Sequence, residues 1–151
     1  METVTHDGRA TAYRIVGPDA AGPGRCYVHG SGGTHRVWAA QYGPDGPGRP
    51  AVAVDLSGHG DSEDVPTEAG PATLAAYADD VEAVARATDA RVLVGNSLGG
   101  AVVQEVLLER DLDLDGAVLL GSGAKLAVTA DLRDWLAADF DRAVEFLHGE
   151  D

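Results

Sequence analysis

The stretch Arg91-Val92-Leu93-Val94-Gly95-Asn96-Ser97-Leu98-Gly99-Gly100 decides how this chain is read. Val92 to Val94 form the apolar, β-branched run that fills a strand buried on both faces. The run stops at a serine set among glycines, and Ser97 to Arg110 then read as a helix. Strand, sharp turn and helix in that order are the setting of a nucleophile elbow. In such a turn the serine is held in a strained backbone conformation with its hydroxyl exposed. Gly95 and Gly99 flank it because Cβ atoms there would collide across the turn, and Gly100 lets the helix pack tightly against the sheet. Ser97 then stands at a helix N-terminus, where the dipole favours developing negative charge and the Leu98 N–H is directed at a bound substrate. The plainer alternative is a glycine-rich strand-to-helix turn with an incidental serine.

Working outward, the same pattern of strand and glycine-rich loop recurs twice upstream. "RCYVHG" (25–30) reads as a short strand running into Gly30-Ser31-Gly32-Gly33, and "THRVWAAQY" (34–42) as a brief helix. "AVAVDL" (51–56) is a continuous apolar run leading into "SGHGDSEDVP". Asp7-Gly8 is a two-residue hairpin signal between residues 2–6 and 9–16. From Thr73 to Thr88, Leu74, Tyr77, Val81 and Val84 recur at helical spacing, with Asp79, Asp80, Glu82 and Arg86 off the stripe. "DLDLD" (111–115) then connects to "GAVLLGS" (116–122), a further apolar strand. A hairpin followed by strand–helix units predicts an α/β fold, a mainly parallel sheet with helices on both faces.

These loops, in this order, resemble the α/β-hydrolase superfamily over residues 25–123. His29-Gly30-Ser31-Gly32-Gly33 is similar to the family's His-Gly oxyanion loop, and Asp55-Leu56-Ser57-Gly58-His59-Gly60-Asp61-Ser62 to its Asp-x-x-Gly-x-Gly-x-Ser loop. The elbow is the third motif. The resemblance implies a serine hydrolase acting on an ester, thioester or related acyl bond of a small molecule. Ser97 would be the nucleophile, with the Ser31 and Leu98 N–H groups as oxyanion donors. A serine at the elbow argues against the aspartate-dependent haloalkane and epoxide chemistry of the same superfamily. No cofactor and no metal are implied. In the family the histidine at position 29 is structural, and His59, between two glycines, reads as a turn residue. His35 either lines the pocket mouth or is solvated. Ser122 reads as pocket wall, at the start of a cap.

The expected division is residues 1–123 as the N-terminal part of the hydrolase core and 124–151 as the start of a helical cap. Leu132, Trp135, Leu136, Phe140, Ala143, Val144 and Leu147 fall on one stripe, which predicts a single cap helix over 132–147. The family's triad follows the order serine, acid, histidine. Only 54 residues follow Ser97, and His148, their only histidine, sits at the C-terminus of that predicted helix. The expectation is therefore a partial fold without its last core strands, with impaired catalysis. "GAVLLGS" would be left as an apolar edge, open to self-association or to a complementing chain, as would the 132–147 helix. A catalytically inactive fragment or binding module is the alternative. More distant is a nucleotide-binding domain: Asp55 lies 23 positions after Gly32, but the third glycine of Gly-x-Gly-x-x-Gly is replaced by His35.

Composition narrows the partners. The chain has 151 residues, 44% of them hydrophobic, and a mean hydropathy of -0.10, which suits one domain with a genuine core. With 25 acidic residues against 11 Lys and Arg, the formal charge of -14 repels nucleic acid and anionic membranes. The first residues hold no signal-type apolar core, and no window holds the ~18 uninterrupted apolar residues of a membrane span. A cytoplasmic location is the default expectation. The lone Cys26 excludes an intrachain disulfide. Lys125 is the only lysine, and acidic excess with almost no lysine is the pattern of a protein adapted to high salt. The melting temperature is expected to rise from dilute buffer to molar KCl; a flat profile would exclude that adaptation.

Overall fold

Asp7 and Gly8 both take positive φ, 46° and 78°, the mirror-image turn whose twist matches that of paired strands. They join β1 (Glu2–His6) to β2 (Arg9–Val16). The structure, a computed structural model, describes residues 1–17, 19–43, 50–124 and 128–149. After β2 come β3 (Gly24–Val28), a 3-10 turn (His35–Trp38) continuing into α1 (Ala39–Tyr42), and β4 (Ala51–Val54). Then follow α2 (Pro71–Thr88), β5 (Ala90–Asn96), α3 (Leu98–Glu109), β6 (Gly116–Leu120), α4 (Ala130–Ala138) and α5 (Phe140–His148). Helix α2 begins two residues before its apolar periodicity, because Pro71 presets the first helical φ and needs no N–H partner there.

The strand order is β1-β2-β4-β3-β5-β6. β1, β2 and β4 pair antiparallel, and β4, β3, β5 and β6 run parallel. Travel from β3 to β4 goes one way across the sheet; from β4 to β5 and on to β6 it goes the other. Since crossovers are right-handed, reversing direction moves the helix to the opposite face. Accordingly, Val81, Val84 and Ala85 of α2 and Val102, Val103 and Val106 of α3 share one core with Cys26, Val28, Val52, Val54 and Leu93. The other face holds a smaller cluster, Tyr27, Ala51, Ala53 and Val94 under Trp38, whose ring lies 5.1 Å from that of Tyr27. The expected α/β sheet with helices on both faces is present, with both long helices on one side.

Register fixes where the loops emerge. Val28 is paired with Val54 on one side and Gly95 on the other, so His29, Asp55 and Ser97 leave the sheet at one edge. That edge, where strand order reverses beside β3, is where ligands bind in open parallel sheets. Strand β6 ends the sheet, and all five of its residues are exposed, Val118 by 45%. Among the described residues no helix is long and apolar enough to cross a membrane.

The hairpin is tied to the helical layer by a buried charge cluster. Asp80 of α2 is fully buried and accepts from Arg9 Nη2 (3.1 Å), Thr11 Oγ1 (2.8 Å), Ser57 N (2.8 Å) and Ser57 Oγ (3.0 Å). His6 Nε2 lies 3.1 Å from the same carboxylate.

One expectation needs correction. Residues 132–147 do not form a single helix: α4 and α5 break at Asp139, with φ -150° and ψ 76°. The physical reason is capping. The Asp139 carboxylate accepts from Arg142 N (3.3 Å) at the start of α5, which favours a helix start over a mid-helix aspartate. Thr129 caps α4 through Leu132 N (3.3 Å). The two helices fold on each other through Trp135 and Phe146, 5.3 Å between centroids, with the Arg142 guanidinium 4.6 Å over Trp135. Phe140 and Leu147 remain exposed. Lys125 and the His148 side chain lie outside the described residues.

Candidate active site

Ser97 has φ 53° and ψ -116°, a backbone conformation that non-glycine residues rarely hold. It separates the last residue of β5 from the first of α3. A Cβ on Gly95 would overlap the Gly99 carbonyl, and one on Gly99 would overlap the Val28 carbonyl, with His29 O at 2.6 Å. Both glycines are therefore steric requirements of the turn. Gly100 serves differently from the expectation: a Cβ there would fall on the Ser122 side chain. The Ser122 hydroxyl, half-buried, donates to the Ser97 carbonyl at 2.6 Å. The Ser97 N–H in turn donates to Leu120 O at 2.9 Å.

The oxyanion-type loop sits directly on this elbow. A Cβ on Gly30 would lie 3.2 Å from Ser97 Cβ and 3.3 Å from Asn96 O. Gly30 O accepts from His29 Nδ1 (2.7 Å) and Gly33 N (3.1 Å), closing a turn in which Gly32 has φ 68°. His29 Nε2 accepts from Leu56 N at 3.1 Å. A backbone amide can only donate, so Nε2 carries the lone pair and Nδ1 the proton. Burial holds the His29 pKa below its ordinary value, against the Gly30 bond that pulls it up, and the neutral ring fits both partners. In a trans peptide the N–H points opposite to the C=O, so anchoring Gly30 O inward turns the Ser31 N–H outward. Leu98, first in α3, offers a second N–H that no helical carbonyl can accept.

Asp55 organises the next loop. It is fully buried; Oδ1 accepts from His35 N (2.6 Å), both oxygens lie 3.0 Å from His35 Nδ1, and Oδ2 accepts from Asp61 N (3.1 Å). A Cβ on Gly60 would overlap this carboxylate, which explains a glycine there. No oxygen of Asp55 faces outward for a ribose, so the nucleotide reading loses its acid. His35 is buried against Asp55, not solvated, and borders a cavity of about 240 Å3 with Thr34, Arg36, Gly60 and Asp61, away from Ser97. His59 donates from Nδ1 to Ser57 O (3.0 Å) and packs on His29, as a turn residue should.

Sequence and structure thus bring together Ser97, Gly30, Ser31, Leu98, Gly95 and Gly99 at one edge, and place His35 beside another loop. Among the described residues no imidazole or carboxylate is hydrogen-bonded to Ser97 Oγ, and no cluster of three metal-ligating side chains could hold a metal ion. Cys26 offers no substitute nucleophile, since burial pushes its thiol up to about 12. Sequence reasoning missed the Leu120 carbonyl and the true partner of Ser122. Gly100 was the available signal: a glycine one place beyond the elbow marks a close approach without saying by what.

The model of the alpha/beta hydrolase family matches residues 27–150. Among solved structures, an N-acyl homoserine lactone degrading enzyme is similar at 26% identity and a TM-score of 0.82, covering 97% of this chain and 56% of that one. A thermophilic esterase aligns at 25% identity and a TM-score of 0.75, over 96% of this chain and 53% of its own. A hydrolase from Pseudomonas aeruginosa PA01 aligns at 30% identity and 0.74, over 97% and 57%. The chain spans about half the length of these structures. Among curated proteins none matches. With more than half of its residues matched by the family model, the chain belongs to the alpha/beta hydrolase family.

Proposed function

We propose that Ser97 is the nucleophile of a hydrolase acting on an ester, thioester or lactone. The observation that supports this most directly is the positive φ of Ser97 with the Gly30 loop packed on its Cβ. In the proposed reaction Ser97 Oγ attacks the carbonyl carbon. The carbonyl oxygen becomes an oxyanion held by the Ser31 and Leu98 N–H groups at the positive end of α3. Collapse expels the alcohol or thiol and leaves an acyl-serine, which water then cleaves. Both steps need a base to take a proton, and an unassisted serine hydroxyl is a weak nucleophile near neutral pH. That base would come from polypeptide outside the described residues. By itself the site would retain only the share of rate due to binding and oxyanion stabilisation, about 10³–10⁴-fold in serine proteases lacking a triad member.

A second reading, an acyl-binding module without turnover, is favoured by the lack, among the described residues, of a base hydrogen-bonded to Ser97. A fluorophosphonate probe applied to wild type and Ser97→Ala in high salt separates the two. Slow labelling of wild type and none of Ser97→Ala is the expected result. Labelling that persists in Ser97→Ala would refute the nucleophile. A folded wild type that never labels would favour the binding module.

A further inference from the structure

We infer that Ser122 is a positioning residue of the elbow, holding the Leu98 N–H in its oxyanion-donating orientation. The inference rests on the reading of Ser97 as nucleophile and extends it to a residue outside the three motifs.

A strained serine persists only where its surroundings over-determine it. Among the described residues, two hydrogen bonds hold the Ser97 backbone from outside its own helix, and both come from β6 and the turn after it. Leu120 O accepts the Ser97 N–H at 2.9 Å, and Ser122 Oγ donates to Ser97 O at 2.6 Å. Ser97 O also accepts from Gly100 N (3.0 Å) and Ala101 N (3.3 Å), so the Ser122 bond is the shortest of three on one carbonyl. Two glycines make the reach feasible. Gly121, with φ 56°, turns the chain back after β6, and Gly100 leaves vacant the space that the Ser122 side chain fills.

The functional consequence follows from peptide planarity. Ser97 C=O and Leu98 N–H belong to one peptide unit and point in opposite directions. Anchoring the carbonyl from behind therefore aims the N–H forward. His29 does the same for the other donor, through Gly30 O and the Ser31 N–H. Each oxyanion donor is thus oriented by a side-chain donor on the carbonyl of its own peptide. His29 is fully buried; Ser122 hangs from the most exposed strand of the sheet.

The test compares Ser122→Ala and Ser122→Thr with wild type in the full chain. It reads fluorophosphonate labelling rates and, independently, amide hydrogen exchange resolved by residue. Loss of one hydrogen bond is expected to slow labelling about tenfold in Ser122→Ala and to raise exchange at Ser97 by a similar factor. Core amides of β3 and β4 should stay unchanged. Ser122→Thr keeps the hydroxyl and should return both readouts to within about twofold of wild type. Unchanged labelling and exchange in Ser122→Ala would overturn the inference, as would a Thr variant behaving like Ala. A uniform rise of exchange across the sheet would overturn it too, by marking a general loss of stability. Should wild type fail to label while Ser122→Ala still loosens Ser97 alone, the nucleophile reading falls and the anchoring of the elbow stands.

Discussion

Asp80→Ala is expected to destabilise the chain by about 3–5 kcal/mol, the cost of breaking a buried ion pair from one side. Asp80 is wholly buried, and the Arg9 side chain beside it is only 11% exposed. Removing the carboxylate leaves the Arg9 guanidinium hydrogen-bonded to the neutral acceptors Ala76 O and Ser57 Oγ, and takes an acceptor from the Thr11 and Ser57 hydroxyls and the Ser57 N–H. A buried donor without an acceptor costs more than the original bond contributed. The loss should register as a lower urea midpoint with an unchanged slope. Salt should not rescue it, because a buried pair is little screened. Replacing both charges, Arg9→Met with Asp80→Leu, should cost less than Asp80→Ala alone. A loss below about 1 kcal/mol in Asp80→Ala would mean that water reaches the cluster and replaces the carboxylate.

Gly99→Ala is expected to cost about 3 kcal/mol, lowering the melting temperature by roughly 6–12 °C. The added Cβ would overlap the Val28 carbonyl and lie 2.6 Å from His29 O and 2.7 Å from Val28 C. These are backbone atoms with no rotamer to escape into, so α3 must lift from the end of β3. The same displacement parts Ser97 from the Gly30 loop, and fluorophosphonate labelling should be lost together with stability. Gly116→Ala is the control: its Cβ meets nothing within 4 Å, and the change should stay within ±0.5 kcal/mol. Equal melting temperatures for the two variants would show that the elbow is not sterically closed.

Much of the fold could be read from local chemistry. The Asp7-Gly8 turn, the apolar runs of β4 and β5 and the glycines around Ser97 each state their conformation within a few residues. What escaped depends on partners far along the chain. Periodicity puts Asp80 off the apolar stripe of α2 and so marks it as solvated, whereas its guanidinium partner lies 71 positions away. His35 stayed ambiguous for the same reason, since Asp55 is 20 positions on. At Asp139 the stripe runs on across the break, because one polar residue suits both a helix face and a helix cap. Ser122 was legible as pocket wall but not as an anchor of the elbow; its partner is a carbonyl, which no sequence pattern announces.

The strand order also sets a timetable for synthesis. β3 lies between β4 and β5 in the sheet, and the β1–β2 hairpin needs Asp80 before Arg9 and Thr11 can be buried. While the first eighty residues emerge, β1, β2, β4 and β3 can pair, but β3 has no β5 on its other side and the Arg9 charge has no Asp80. Such non-local pairing slows folding and leaves the growing chain open to aggregation. The nascent chain should accordingly depend on holdase chaperones until β5 has been made, and collapse late, in one step, around the strand that carries Ser97.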